Sequence, residues 1–328
     1  MESEPWQHEL AHAVSDPVEL LRLLDLDPAR LPHPLLADPD FSLRVPRYFV
    51  DLMHAGDATD PLLAQVLPLQ IERSPVEGYS TDPVGDQAAT QGPGILKKYP
   101  GRALMITTGA CAVHCRYCFR RHFPYQEQTP LRHWQESIGA LRQMSDVSEL
   151  ILSGGDPLTL SDQRLQTLLD TAEEIPQLRR LRIHTRLPVV LPPRITQDLA
   201  RLLGNNRLRS TVVIHANHPN EITDELAKSL AHLRENGVTL LNQSVLLKSV
   251  NDDADILATL SESLFDIGVL PYYLHVLDPV DGAAHFDLPE AHAIAIERRL
   301  RARLPGYLVP KMVREVPGHT GKTPLGCM

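Results

Sequence analysis

The chain has 328 residues, 43% of them hydrophobic, enough for one large α/β domain or two modest ones. No run of about 18 or more apolar residues occurs, and the acidic, polar start MESEPWQHEL lacks the parts of a secretory signal, so a cytoplasmic protein without a membrane span is expected. A formal charge of −9 disfavours a nucleic-acid backbone binder but leaves room for a local basic pocket around an anionic cofactor.

Residues 1–95 are rich in Pro, Leu and Asp and carry short helical patterns, DPVELLRLLDL and PRYFVDLMHAG, with no strong strand alternation. They read as a helical N-terminal region closed by the loop GYSTDPVGDQAATQGPG. Over 96–328 the texture changes. Six strand-like runs follow: RALMITT (102–108), ELILSGG (149–155), LRRLRIHT (178–185), STVVIHAN (210–217), VTLLNQSVLL (238–247) and VLPYYLHVL (269–277). Segments of helical period, such as ITDELAKSLAHLRENG, lie between them, and Asn, Asp and Pro mark several turns. This alternation predicts βα units on a parallel sheet, which handedness curls into a barrel or partial barrel. No internal repeat or low-complexity tract is evident beyond it.

The polar residues fall at the ends of these runs. A three-cysteine loop follows the first, SGGD ends the second, HTR the third, HANHPN the fourth and LDP the sixth. Parallel αβ barrels carry their active sites at those strand ends, although the fold alone names no reaction.

Four cysteines in a cytoplasmic chain of this length are not a disulfide framework. Cys111, Cys115 and Cys118 stand in CAVHCRYCFRRH with the spacing CxxxCxxC. A structural zinc takes four ligands, and with no second cysteine pair His114 or His122 would have to complete the set. A catalytic dithiol needs only two cysteines. Three thiolates suit three irons of a [4Fe–4S] cube, whose fourth iron stays open to a small ligand. A zinc-stabilised binding module is the alternative.

With the aromatic Tyr117 inside it, this loop resembles the signature of the radical S-adenosylmethionine (SAM) enzymes. The resemblance implies a partial (β/α)6 barrel. It also implies that the cluster and SAM together generate a 5′-deoxyadenosyl radical. Ser153, Gly154, Gly155 and Asp156 resemble the glycine-rich motif that meets the SAM amino group. Without the resemblance SGGDP is a strand-to-helix turn with an Asp cap.

From about residue 41 to 326 the chain is similar to the lysine 2,3-aminomutase family, through YPGRALMITTGACAVHCRYCFRR, LSGGDPL, RLPVVLPPRI, HANHPNEIT, LNQSVLLKSVND and PGHTGKTP in the same order. Lys322, by itself an ordinary loop lysine, is implied to carry pyridoxal 5′-phosphate (PLP). Tyr99 and Arg102 match positions that meet the PLP phosphate, for which an arginine fork is apt. Arg120 matches the arginine of the substrate carboxylate, and His215 and Gln243 match contacts to SAM. Asp278 and Glu315 match the carboxylates that grip the distal ammonium of lysine, a cation that needs such partners in a dry pocket. Glu315 stands where the family has Asp, which keeps the charge and moves it. Read alone, His215 and Gln243 are polar residues of a barrel mouth, and Glu315 is a solvated rim carboxylate.

The catabolic members of the family continue past this lysine into an extension with cysteines for a structural zinc. Here six residues follow Lys322, among them Cys327 alone. The resemblance is therefore to the short form that supplies (R)-β-lysine for modification of translation elongation factor P, attached by a separate ligase. It implies an isomerase moving the amino group of L-lysine from C2 to C3, with a [4Fe–4S] cluster, SAM, PLP and an electron donor of flavodoxin or ferredoxin type. Arginine or glutamate as substrate, and a noncatalytic scaffold for the translation factor, are the rivals. Two acidic pocket positions favour a cation over glutamate.

Overall fold

The computed structural model describes residues 4–125 and 134–326, so Cys327 lies outside the described residues. A ten-stranded sheet follows chain order throughout. Its strands are β1 (Thr90–Gly92), β2 (Ile95–Tyr99), β3 (Arg102–Thr108), β4 (Glu149–Gly154), β5 (Arg180–Thr185), β6 (Arg209–Ile214), β7 (Thr239–Leu246), β8 (Leu270–Val276), β9 (Lys311–Arg314) and β10 (Thr323–Pro324). Neighbours from β3 to β9 pair in parallel, while β1–β2, β2–β3 and β9–β10 are antiparallel.

Strands β3 to β8 are the six runs expected from the sequence. Their side chains alternate: Ile151 and Ser153, Arg182 and His184, Gln243 and Val245, and Tyr273 and His275 all line one cavity. The residues between them, such as Leu150, Leu152, Leu181, Ile183 and Leu274, are buried in the apolar core. The sheet is thus curled around a polar hollow, as a partial barrel requires.

Crossover helices, including Asp162–Glu173, Gln197–Gly204, Asp224–Glu235 and Ala254–Asp266, return the chain between strands. Each starts on a side chain that accepts a backbone N–H: Ser161, Thr196, Thr223 and Asp253 respectively. The N-terminal helices Pro5–Ala11, Pro17–Leu23 and Arg47–Asp51 supply Trp6, Leu20 and Phe49 to a core that runs without a break to Leu181 and Leu300. Among the described residues, no helix is long and apolar enough to cross a membrane.

Four short strands were not foreseen. β1 and β2 lie in or beside the stretch read as a closing loop, and β9 and β10 flank the Lys322 segment. At two to five residues, they are too short for an alternation to show.

Candidate active site

The cavity enclosed by the strands has an empty volume of about 1770 Å3 and opens to solvent. Every site residue singled out from the sequence lines it, and they divide between two ends.

At one end the cysteine loop leaves β3 and is pinned against the end of β4. The Gly155 and Asp156 amides each donate at 2.7 Å, to the Thr108 and Ala110 carbonyls. A Cβ on Gly155 would stand 2.4 Å from the Ala110 oxygen, so only glycine permits this approach. Asp156 accepts from the Leu158, Arg186 and Leu187 amides and from the Thr185 hydroxyl. Its carboxylate is thereby spent on tying the ends of β4 and β5 together, which is the capping role. Ser153 Oγ accepts from Arg120 Nη1 at 3.2 Å.

The three cysteines of the loop are free thiols. Burial, followed by the neighbouring thiols, raises Cys111 well above its ordinary value, and burial with Cys115 raises Cys118 to about 11. Such groups become thiolates when a cation binds them, which fits an iron–sulfur cluster. One ring nitrogen of His114 and one of His122 bond the backbone carbonyls of Ser42 and Asp281 respectively. Among the described residues no three His, Cys, Asp or Glu gather around a single-ion position. A cube instead takes each thiolate on a separate iron. Arg121, which the sequence left without a role, pairs with Glu72 at 2.7 Å, as Arg116 does at 2.5 Å.

His215 is half-buried, with Nε2 itself buried and unpartnered; burial and then Arg186 lower it to about 3, so the ring is neutral. Gln243 faces the same space from β7. Behind them lies Arg186, whose guanidinium the sequence did not single out. It donates to Cys115 Sγ at 2.9 Å, to Gln65 Oε1 at 2.8 Å, to Glu221 Oε2 at 3.2 Å and to the Tyr117 hydroxyl.

The other end is a row of alternating charges. Arg120 Nε lies 2.6 Å from Asp86 Oδ2, and Lys98 Nζ lies 2.6 Å from Asp86 Oδ1 and 3.5 Å from Glu315 Oε1. Lys322 Nζ donates to Glu315 Oε2 at 2.7 Å. Burial opposes ionisation of Asp86, but Arg120 and Lys98 outweigh it and hold the carboxyl down to about 2. Burial likewise opposes Glu315, and Lys322 overcomes it, so that Glu315 is a partly buried, paired carboxylate and not a solvated rim group. Asp86 and Lys98 were missed because they sit in a Gly/Asp-rich connector and a short strand.

Asp278 differs from these. Its Oδ1 is buried with no hydrogen-bond partner, and burial, only partly countered by Lys322, raises it to about 7. Tyr99 and Arg102 face each other across the Pro100–Gly101 turn, where Gly101 takes φ +77°. Arg102 Nε is buried and unpartnered, its guanidinium lies 4.5 Å from the Tyr99 ring centre, and the Tyr99 hydroxyl leans toward Glu315. An idle guanidinium N–H beside a phenol fits a phosphate.

A sequence profile of the radical SAM superfamily matches residues 105–260, from β3 into the helix before β8. An L-lysine 2,3-aminomutase from Escherichia coli (strain K12) is 50% identical, with the alignment covering 98% of this chain and 94% of that protein. The L-lysine 2,3-aminomutase from Haemophilus influenzae is 48% identical over 98% of this chain and 96% of that protein. The one from Clostridium subterminale is 33% identical, over 98% of this chain and 77% of that protein. Radical SAM enzymes use a [4Fe–4S] cluster and SAM, and the three thiols are suited to hold the one; lysine 2,3-aminomutases also use PLP, for which Lys322, Tyr99 and the idle donor of Arg102 are suited. With this identity along nearly its whole length, the chain belongs to the lysine 2,3-aminomutase family of radical SAM enzymes.

Proposed function

We propose that this chain moves the amino group of L-lysine from C2 to C3. The observation that carries the substrate assignment is Asp278, a buried carboxylate with an idle oxygen, in the same cavity as three free cysteines and Lys322. A cation entering there gains a charged partner, whereas the distal carboxylate of glutamate would meet Asp278 and Glu315 as like charges.

Cys111, Cys115 and Cys118 are the ligands for the cluster, and Ser153, Gly154, Gly155, His215 and Gln243 surround the space for SAM. Asp156 holds that wall in place. Lys322 is the anchor for PLP, with Tyr99 and Arg102 on the phosphate. When bound, the cluster with SAM supplies hydrogen abstraction, and PLP carries the migrating nitrogen. Arg120 takes the substrate carboxylate, and Asp86 holds the guanidinium in place for it. Asp278 and Glu315 take the ε-ammonium, which fixes the distance between the two ends of the substrate.

The proposal extends to (R)-β-lysine as the product, to its attachment to translation elongation factor P by a separate ligase, to an electron donor of flavodoxin or ferredoxin type, and to action in the cytoplasm. Its support is the greater identity to the Escherichia coli and Haemophilus influenzae proteins than to the Clostridium subterminale one. The test is anaerobic reconstitution with iron, sulfide, PLP, SAM and reductant, followed by L-lysine, arginine or glutamate and chiral analysis of the product. The expected result is (R)-β-lysine from L-lysine alone. An intact cluster with no β-lysine formed would overturn the reaction, and zinc without iron or sulfide would overturn the cofactor assignment. Turnover of arginine or glutamate instead would replace the substrate.

A further inference from the structure

Arg186 stands where β5 ends, and nothing in the proposed reaction uses it. Asp156 fixes its backbone by accepting from the Arg186 and Leu187 amides at 2.8 and 2.9 Å. The guanidinium is clamped as well. Glu221, fully buried, accepts from the Asn217 and His218 amides and from Gln65 Nε2 through one oxygen, and from Arg186 Nη2 through the other. Gln65 Oε1 accepts from the same nitrogen at 2.8 Å. The Phe49 and Tyr117 rings lie 5.4 and 5.6 Å from the guanidinium carbon. With so many partners holding it, the other nitrogen, Nη1, is directed at the Tyr117 hydroxyl and at Cys115 Sγ, the latter at 2.9 Å.

We propose that Arg186 is a positioning residue for the cluster: through its Nη1–H···Sγ bond to Cys115 it raises the reduction potential of the iron–sulfur centre. The inference rests on the reading that the three cysteines hold a [4Fe–4S] cluster. On reduction one electron enters the cluster, and no bond to the protein forms or breaks. The added negative charge spreads onto the sulfurs, so a fixed cationic donor stabilises the reduced form more than the oxidised one. Burial strengthens the effect because little water screens it. A guanidinium clamped by Glu221 and Gln65 cannot swing away between the two states.

The test compares wild type, Arg186→Lys and the double variant Arg186→Met/Glu221→Gln, which removes the buried carboxylate along with its partner. Each is reconstituted anaerobically, iron and sulfide are counted per chain, and the midpoint is read by an EPR-monitored dithionite titration. In the double variant the ratio of reduced to oxidised cluster at a fixed poise should fall about tenfold, equivalent to about 59 mV for one electron. Arg186→Lys, which keeps the charge and loses the fork, should fall by less, and it carries the measurement if the double variant does not fold. An unchanged midpoint at full cluster loading would overturn the proposal and leave Arg186 as a partner of Glu221 only. A wild-type protein without a [4Fe–4S] signal would instead sink the cluster reading beneath it.

Discussion

The two ends of the cavity are finished to different degrees. Around the cysteine loop the buried carboxylates are fully engaged: Asp156 has four donors, Glu221 has four, and Arg186 serves both the cluster loop and the core, while His215 Nε2 and Arg186 Nε stay idle. Around Lys322 the charges pair mainly with one another, and Asp278 and Arg102 keep idle buried atoms. The first end is a frame that sets three thiols in place without help. The second is a set of contacts waiting for ligands. Substitutions at the two ends should therefore fail in different ways, structural at one and binding at the other.

The largest expected effect is on the thiols themselves. Cys115→Ala should abolish β-lysine formation and cluster loading while leaving the circular dichroism spectrum and melting curve close to wild type. Global unfolding would mean that the loop is structural and would erase the contrast. Asp278→Asn comes next. Losing a buried charged partner costs about 2–5 kcal/mol, so KM for L-lysine should rise at least about thirtyfold with kcat little changed. A loss confined to kcat would move Asp278 from binding to chemistry.

The same residue predicts a pH dependence. Its carboxyl is raised to about 7, so it is neutral below that pH and anionic above it. KM for L-lysine should fall as pH rises through about 7, and this limb should vanish in Asp278→Asn. For the ligand-free protein the sign is opposite. The native state keeps a proton that the unfolded chain, near the ordinary value of 3.8, has lost, so this group destabilises the fold progressively from about pH 4 to about 7. Thermal melts of wild type and Asp278→Asn across that range would measure the difference. The smallest effect belongs to the finished end. Gly155→Ala pushes a methyl into the Ala110 carbonyl and should cost about 1–3 kcal/mol in melting experiments, with lower iron content per chain.

Much of the frame was legible in the sequence, because β3 to β8 carry apolar residues on the core side while their ends carry the polar motifs. β1, β2, β9 and β10 were not, since a strand of two to five residues shows no period. The cysteine spacing pointed to a cluster on ligand rules alone, whereas Lys322 was visible only through family resemblance: nothing local separates it from a surface lysine. The pairings were out of reach. Arg186 meets Cys115 across 71 positions and Lys98 meets Glu315 across 217, and no local pattern encodes contacts of that span. The side chain of Asp156 illustrates the converse, since the plain capping interpretation of SGGDP describes its hydrogen bonds better than a ligand contact does.

The strict agreement between strand order and chain order has a consequence for biosynthesis. Each strand from β2 onward docks on the one made just before it, so the sheet can grow at one edge as the chain emerges. Cys111, Cys115 and Cys118 appear early and find their wall at β4 and β5, whereas Lys322 comes after β9, when little of the chain is left to make. On the roles proposed above, a nascent chain presents its cluster ligands well before it can anchor PLP, so the cluster loop can be filled first.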